Sequence, residues 1–325
     1  MDVAAQEPAS RVFPEAAYQA AFLALMDSLA CAFKALQDPA CTKLLGAVVP
    51  GATMAFGARV PGTSYQLDPV QAAFNVGTMV GWHEANDPAL ATASGHLSDN
   101  LGAILAVADY RARKAIAEGT SPPTVRGLFT ALVGAHEHAS FEWARMARTD
   151  GSPSAIHATD ASASVSTRCA LTRLASAAAA ASLLGGTRDQ VAAAVAIARS
   201  EAPSNAQLAK AHGTDTHERW RIGDATSRGV RLALIALAGQ AAARSVPSQP
   251  NDEATLQPAV LLELEQAWLA AAAPAVASRI RDRFAACVTA HFPTVQAGKI
   301  ASMFADRGQL EALPVNELVS MTVRN

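Results

Sequence analysis

The chain has 325 residues, half of them hydrophobic, which is enough to bury a sizeable core. A formal net charge of −2 gives no electrostatic footprint of nucleic acid or of an anionic membrane, so we expect neither as a partner. Aromatic residues make up 5% of the sequence and charged residues 17%, and Ala, Leu and Val form long stretches. This composition favours packed helices over sheets, so the sequence predicts an all-α fold.

Three features of the sequence predict where the protein resides. The four cysteines lie far apart with no CxxC spacing, which indicates buried thiols in a reducing compartment. The first residues, MDVAAQEPAS, include acidic groups and no apolar segment typical of a secretory signal. The most apolar stretches, 174–186 and 230–243, are shorter than the roughly 20 residues that a bilayer span requires. We therefore expect a cytoplasmic protein without a membrane span.

The first helix is predicted to begin at Pro14, because apolar residues then recur at spacings of four. Residues 38–66 are rich in Pro and Gly and are predicted to form turns. Asp68 followed by Pro69 is typical of a helix start, and this second helix is predicted to run to about Asn86. The recurring apolar residues of the first helix are Ala21, Leu25, Leu29 and Phe33.

The central part of the chain is predicted to form three further helices. One spans about 121–148 and precedes a loop, 150–164, rich in Gly, Ser, Pro and Thr. The next ends at a glycine pair that begins with Gly185 and suits a C-terminal cap. Thr187 and Gln190 have the spacing of a capping box for the third, which should form a hairpin with the second and end near residue 200.

The domain boundaries are predicted from composition. Asp224 is interpreted as the N-cap of an Ala/Leu helix that runs to about Arg244 and completes a helical domain of residues 1–244. Residues 245–254, SVPSQPNDEA, have a disordered-like composition and are predicted to form a linker. Residues 255–325 are predicted to form C-terminal helices that pack back on the helical domain.

The sequence contains no complete motif for binding a metal or a cofactor. His83 and Glu84 begin an apparent HExxH zinc motif, but the second histidine position is Asp87. The HEH triplet at 136–138 projects its side chains in different directions from a helix, so these are predicted to be surface or capping residues. Without a Gly-rich nucleotide loop, a GxSxG elbow or paired cysteines, we expect no metal and no cofactor.

An acid–base site is predicted in residues 82–100, where a helix runs into a loop. Glu84 and Asp87 supply carboxylates and His96 supplies an imidazole, so these three are the candidate catalytic residues. The same pattern also fits a polar junction between helices, with His96 and Asp99 forming the N-cap region of the second helix. The residues alone leave both interpretations open.

Residues 57–110 form the long segment GARVPGTSYQLDPVQAAFNVGTMVGWHEANDPALATASGHLSDNLGAILAVADY. This segment resembles the MmgE/PrpD family, and most closely its 2-methylcitrate dehydratases. The resemblance extends through LMDSLACAF, DPACTKLLGAVVPG and RWRIGDATSRGVRLALIA, and so covers most of residues 20–240. HFPTVQAGKI and LEALPVNELV resemble the family's C-terminal helices. The resemblance implies a multi-helix domain of this type, and the family's second, α+β domain is expected to be missing because the linker takes its place.

The resemblance also implies a kind of reaction. Family members are metal-independent lyases or isomerases that act on citrate-like acids. Elimination requires a base, an acid and cations that hold carboxylates. His96 matches the family's loop histidine and is the implied acid–base group, whereas Glu84 stands where the family has a catalytic Asp. Pro88 stands where relatives often have a Thr or Cys.

The residues implied to bind substrate differ from those of the family. Glu218 aligns with an active-site Lys, and Arg168 aligns with a second family His. One unit-charge contact at about 4 Å is worth roughly 4 kcal/mol at an effective dielectric near 20, so the change at Glu218 weakens binding of a polyanion. Nearby cations could neutralise Glu218, and one of them, Arg228, could instead pair with Asp224. The candidate substrate-binding residues are Lys210, Glu218, Arg219, Arg228 and Arg168.

Three functions follow from these patterns. The first is a diverged dehydratase-like lyase or isomerase, a homodimer that acts on a small citrate-derived or alkylcitrate-like carboxylic acid. The second is a catalytically inactive helical scaffold or regulatory partner. The third is a new ligand-binding or cyclisation role in secondary metabolism.

Overall fold

A computed structural model of the protein describes residues 11–83, 91–92, 94–149, 165–201, 219–240 and 250–324. Almost every element in these ranges is a helix, and the strands are two-residue pairs, so the all-α prediction is confirmed. The first half contains α1 (Glu15–Ala35), α2 (Pro39–Thr42), β1 (Ala58–Arg59), β2 (Gln66–Leu67), α3 (Pro69–Gly81), β3 (Ala91–Thr92), β4 (Gly95–His96), a 3₁₀ helix (Leu97–Asn100), α4 (Leu101–Ala117) and α5 (Val125–Thr149). The second half contains α6 (Val165–Leu183), α7 (Arg188–Ser200), α8 (Arg221–Leu237), α9 (Pro250–Ala271), α10 (Pro274–His291), α11 (Thr294–Met303), α12 (Arg307–Ala312) and α13 (Val315–Thr322).

Helix α1 lies in the core, where it packs against α3, α5, α9 and α10. Its predicted start and apolar spacing are confirmed. Within the described ranges, α1 is long and apolar enough to cross a bilayer. Helices α9 and α10 are long and apolar enough only when taken together, as a pair bent by 63°. Because 89% of the most apolar window of α1 is buried inside the fold, α1 has the surroundings of a core helix.

The short turns that begin and end the helices follow the local sequence. The Asp68 side chain accepts hydrogen bonds from the first backbone N–H groups of α3, and Thr187 and Gln190 form the predicted capping box of α7. Gly185 follows α6 with φ +83°, which a residue with a side chain rarely adopts. These three predictions are confirmed because each depends on residues within one turn of the helix end.

Three predicted limits of α3 and α8 are wrong. Helix α3 ends at Gly81 rather than near Asn86, and the indole N–H of Trp82 donates to Asp38 at 2.8 Å where the chain leaves the helix. Helix α8 begins at Arg221, so Asp224 lies in its first turn and is not the N-cap. The same helix ends at Leu237 rather than Arg244, because Gly239 turns the chain away with φ +88°.

The predicted linker, 245–254, extends too far at its C-terminal end. Residues 241–249 lie outside the described part of the chain, but residues 250–254 are the first turns of α9. Pro250 is the first residue of this helix, a position that tolerates proline because the first N–H groups have no partner inside a helix. Helices α9 and α10 then pack on α1, and α9 also contacts α5.

The C-terminal segment is tied to a turn near the start of the chain. The backbone N–H of Gly62 donates to the carbonyl oxygen of Thr322 at 2.6 Å, and that of Arg324 donates to Thr63 at 2.9 Å. The side-chain amide of Gln296 donates to two carbonyls of the same segment, at 2.8 and 3.0 Å. Residues on either side of the predicted linker therefore belong to one packed unit.

A buried ion pair holds β1 against α4. Asp109 of α4 has no exposed surface and accepts from the backbone N–H of Arg59 at 2.8 Å, from its Nε at 3.2 Å and from its Nη2 at 2.7 Å. Arg59 also donates to the carbonyl oxygen of Asn316 at 2.7 Å, in α13. Burial raises the pKa of Asp109 even though the Arg59 guanidinium opposes this.

Helices α3 and α8 approach so closely that their contact depends on a glycine. A Cβ atom placed on Gly223 would lie 2.5 Å from the carbonyl oxygen of Phe74 and closer still to the hydroxyl of Thr78. We predict that Gly223→Ala lowers the free energy of unfolding by about 1–3 kcal/mol, because two helix backbones must separate. Urea denaturation of the full chain measures this change.

The matched control is Gly298→Ala in α11, where an added Cβ atom would meet nothing within 4 Å. This variant should be more stable than wild type by about 0.5–1 kcal/mol, because alanine favours the helix. Equal effects of the two substitutions would contradict the close contact of α3 and α8.

Candidate functional site

A small hairpin carries the predicted histidine. Strands β3 and β4 pair antiparallel, with Ala91 opposite His96 and Thr92 opposite Gly95. His96 has an extended backbone and a half-buried side chain, and the 3₁₀ helix and α4 follow directly. The predicted site histidine therefore lies at the entry of a core helix, on a hairpin that packs against α5.

Hydroxyl groups join the hairpin to α5. Thr92 Oγ1 lies 2.7 Å from Ser94 Oγ and 3.1 Å from His136 Nε2, and it donates to the carbonyl oxygen of Gly95 at 3.2 Å. Ser94 Oγ lies 2.9 Å from Ser140 Oγ. Two side chains of α5 thus hold the strand that precedes His96.

An ion pair joins the other end of the hairpin to α6. Asp99 is buried, and its carboxylate accepts from the backbone N–H of His96 at 3.0 Å and from Arg168 Nε at 2.6 Å, with a second bond from Arg168 Nη2. Burial alone would raise the pKa of Asp99, but the charge and hydrogen bonds of Arg168, together with smaller contributions from His96, hold this pKa below its ordinary value. The hydrogen bond from the His96 N–H to Asp99 also caps the 3₁₀ helix. The alternative prediction, in which His96 and Asp99 form an N-cap region, therefore describes the same residues.

The HEH triplet at 136–138 was predicted to be surface or capping, and this prediction is wrong for its first two residues. His136 and Glu137 are each 1% exposed. His136 contacts Thr92 of the hairpin, and Glu137 pairs with Arg11 at 2.6 Å. Burial raises the pKa of Glu137 although Arg11 opposes this. The signal that could have revealed them is their place directly after the largely apolar run LFTALVGA, 128–135, in the same helix.

Glu142 is a second buried carboxylate on α5 that the sequence did not single out. It accepts from Arg145 Nη2 at 2.8 Å and from Arg199 of α7. Burial would raise the pKa of Glu142, but the charges of His138, Arg199 and Arg145 lower it below its usual value. With both arginines bound to it, Glu142 links α5 to α7.

Arg219, one of the predicted substrate-binding residues, lies beside Trp82 and Asp38. Its guanidinium carbon is 5.5 Å from the centre of the Trp82 ring, and its Nη1 is 3.8 Å from Asp38 Oδ2. Its side chain is 49% exposed, so this cation is open to solvent. The Trp82 indole N–H is the main cause that lowers the pKa of Asp38, with smaller contributions that include the Arg219 charge.

Arg228 pairs with a residue that the sequence did not indicate. Its Nε donates to Glu201 Oε2 at 3.0 Å, and its Nη2 contacts Glu201 Oε1. The bond to Glu201 is the main cause that raises the pKa of Arg228, and Asp224, the partner considered above, adds only a weaker charge effect. Arg228 therefore links α8 to the end of α7.

The remaining predicted site residues lie outside the described part of the chain; they are Glu84, Asp87, Lys210 and Glu218, and Pro88 lies there as well. Among the predicted residues that are described, His96 and Arg168 share Asp99, whereas Arg219 and Arg228 lie in separate ion pairs. Within the same ranges, no group of three His, Cys, Asp or Glu side chains could hold a metal ion.

The cysteines in the described ranges are free thiols. Burial raises the pKa of Cys41 to about 12 and that of Cys169, beside Arg168, to about 11. At neutral pH both are protonated, and a protonated thiol is a poor nucleophile. Neither thiol is therefore activated as a nucleophile.

Comparisons with known proteins give the family. The model of the MmgE/PrpD N-terminal domain matches residues 5–252. The 2-methylcitrate dehydratase of Escherichia coli K12 is 42% identical over 225 residues, which are 69% of this chain and 44% of that protein. The 2-methylcitrate dehydratase of Cupriavidus necator is 44% identical over 178 residues, which are 55% of this chain and 34% of that protein.

A fungal relative, the 2-methylcitrate dehydratase-like protein oryR of Aspergillus oryzae, is 32% identical over 192 residues, 58% of this chain and 36% of its own length. The chain spans less than half the length of each of these relatives. Because the family model covers well over half of the chain, the resemblance predicted from the sequence is confirmed: the protein belongs to the MmgE/PrpD family.

Proposed function

We propose that the protein is a lyase of the 2-methylcitrate dehydratase type, with His96 as an acid–base group, acting on a citrate-derived or alkylcitrate-like carboxylic acid. The names of its relatives support the reaction class. The observation that carries the proposal is the fixed position of His96, on a hairpin joined to α5 by hydroxyl groups and to α6 by an ion pair.

The proposed chemistry is a dehydration. A base removes a proton from carbon, the C–O bond of the hydroxyl group breaks, and an acid protonates the departing oxygen, so that water leaves and a carbon–carbon double bond forms. Histidine suits one of these transfers because its ordinary pKa, about 6.5, lies near neutral pH. We assign one proton to His96 and the other to a carboxylate, Glu84 or Asp87.

The substrate carboxylates require cations. The candidate arginines differ in how strongly they are already bound to carboxylates of the protein. Arg168 and Arg228 each donate two hydrogen bonds to a carboxylate of the protein. Arg219 has a longer ion-pair distance of 3.8 Å and a half-exposed side chain. We therefore propose Arg219 as the cation that binds a substrate carboxylate, with Lys210 as a further candidate and Glu218 as an opposing charge.

The test is a thermal-shift panel of citrate, 2-methylcitrate, cis-aconitate and alkylcitrates, with propionate as the monocarboxylate control. A ligand at 100 times its Kd stabilises a protein by about 2.7 kcal/mol, so a true ligand raises Tm and propionate does not. Carbon-13 NMR of each hydroxy-acid hit should then show two alkene carbons of the dehydrated product in place of the carbon that carried the hydroxyl group. A full panel with neither a Tm shift nor turnover would favour the alternative of an inactive helical scaffold.

A further inference from the structure

Both carboxylate oxygens of Asp99 accept hydrogen bonds from groups of the protein. Its side chain is buried, and Oδ2 accepts both the backbone N–H of His96 at 3.0 Å and Arg168 Nε at 2.6 Å. Oδ1 accepts Arg168 Nη2. A bidentate pair of this kind fixes two planar groups relative to each other, and here one of them also holds the backbone of the site histidine.

The residue before His96 leaves space for this arrangement. Gly95 has φ +138°, in a region that residues with side chains rarely adopt. A Cβ atom at this position would lie 2.7 Å from Asp99 Oδ2 and 3.5 Å from Arg168 Cγ. The ion pair therefore packs directly against Gly95 in the turn of the hairpin.

We propose that Asp99 and Arg168 are positioning residues that set the backbone at His96 and, through it, the direction of the imidazole. This inference rests on the proposed acid–base function of His96. It gives Arg168 a role other than binding substrate: turning its guanidinium toward a ligand would leave the buried carboxylate of Asp99 without its counter-ion.

The reactivity of His96 itself tests the proposal, because it requires no substrate. The variants are Asp99→Asn, Arg168→Gln and Arg168→Lys in the full chain. The rate at which diethyl pyrocarbonate modifies His96 is followed by mass spectrometry of its peptide. We expect at least a threefold rise in Asp99→Asn and Arg168→Gln, and a smaller rise in Arg168→Lys, which keeps a charged donor.

Two controls separate positioning from unfolding. His291, whose Nε2–H donates to the carbonyl oxygen of Gly62 at 2.8 Å in another part of the molecule, should react at the wild-type rate in the same samples. If a single substitution prevents folding, the double variant Asp99→Asn/Arg168→Gln removes both charges and leaves no buried ion unpaired. A wild-type modification rate at His96 in the folded variants would overturn the proposal.

Once a substrate is identified, kinetics distinguish the two roles of Arg168. Loss of positioning lowers kcat at least tenfold in Arg168→Gln and changes KM less than twofold, with partial recovery in Arg168→Lys. A substrate-binding role would instead raise KM and leave the His96 modification rate unchanged. If no turnover is found with wild type, the proposed function fails while the modification rates still decide the positioning role.

Discussion

Replacing His96 with alanine should lower kcat for dehydration of the substrate acid by about 10²–10⁴-fold, the usual contribution of a general acid or base. The protein should remain folded, because the bond between residue 96 and Asp99 comes from the backbone N–H, which alanine retains. Binding of the acid should change little, since the imidazole acts on the transferred proton and the cations hold the carboxylates. Turnover by NMR and Tm by calorimetry measure the two effects.

His96→Asn is the matched variant, because asparagine keeps a polar side chain of similar size but cannot exchange a proton near neutral pH. It should be as inactive as His96→Ala. More than a tenth of wild-type turnover in either folded variant would rule out His96 as the acid–base group.

Replacing Arg59 with methionine should destabilise the protein by about 3–5 kcal/mol, because it leaves the buried charge of Asp109 without its partner. Asp109 loses both side-chain bonds from Arg59, and α13 loses a contact with β1. The exposed pair of Lys114 and Glu118, one turn further along α4, provides the control. Lys114→Ala should change the free energy of unfolding by no more than about 0.5 kcal/mol.

This effect should depend on pH. Burial raises the pKa of Asp109 in the folded protein, so its neutral form stabilises the fold at low pH, and this stabilisation is lost as pH rises through the folded pKa. Without the positive charge of Arg59, burial disfavours the ionised form of Asp109 more strongly. Urea denaturation should therefore show a larger difference between wild type and Arg59→Met at about pH 8 than at about pH 4; a constant difference would contradict a charge-based cause.

Local sequence was sufficient for the parts of the fold that depend on neighbouring residues. Asp68 and the pair Thr187 and Gln190 satisfy backbone groups within a single turn, so their spacing predicts the structure. Asp224 was less informative because a carboxylate stabilises a helix both as the N-cap and within the first turn. The spacing alone does not distinguish these two positions.

The site was predicted less completely, because its contacts join distant parts of the chain. The motif around His96 was visible, but Asp99 and Arg168 are 69 residues apart and Thr92 and His136 are 44 apart. The sequence therefore assigns Arg168 to substrate binding and His136 to a surface or capping position, without their partners. Without the packing of α5 and α6 against the hairpin, neither pairing follows from sequence.

The bonds between residues 62–63 and residues 322–324 also affect how the chain folds. Helix α1 buries its apolar surface partly against α10, about 250 residues later in the sequence. Contacts of such separation slow folding, since a long loop must close before they form. During synthesis on the ribosome, part of the apolar surface of α1 therefore stays uncovered until α10 has emerged, and we expect the nascent chain to be prone to aggregation over that interval.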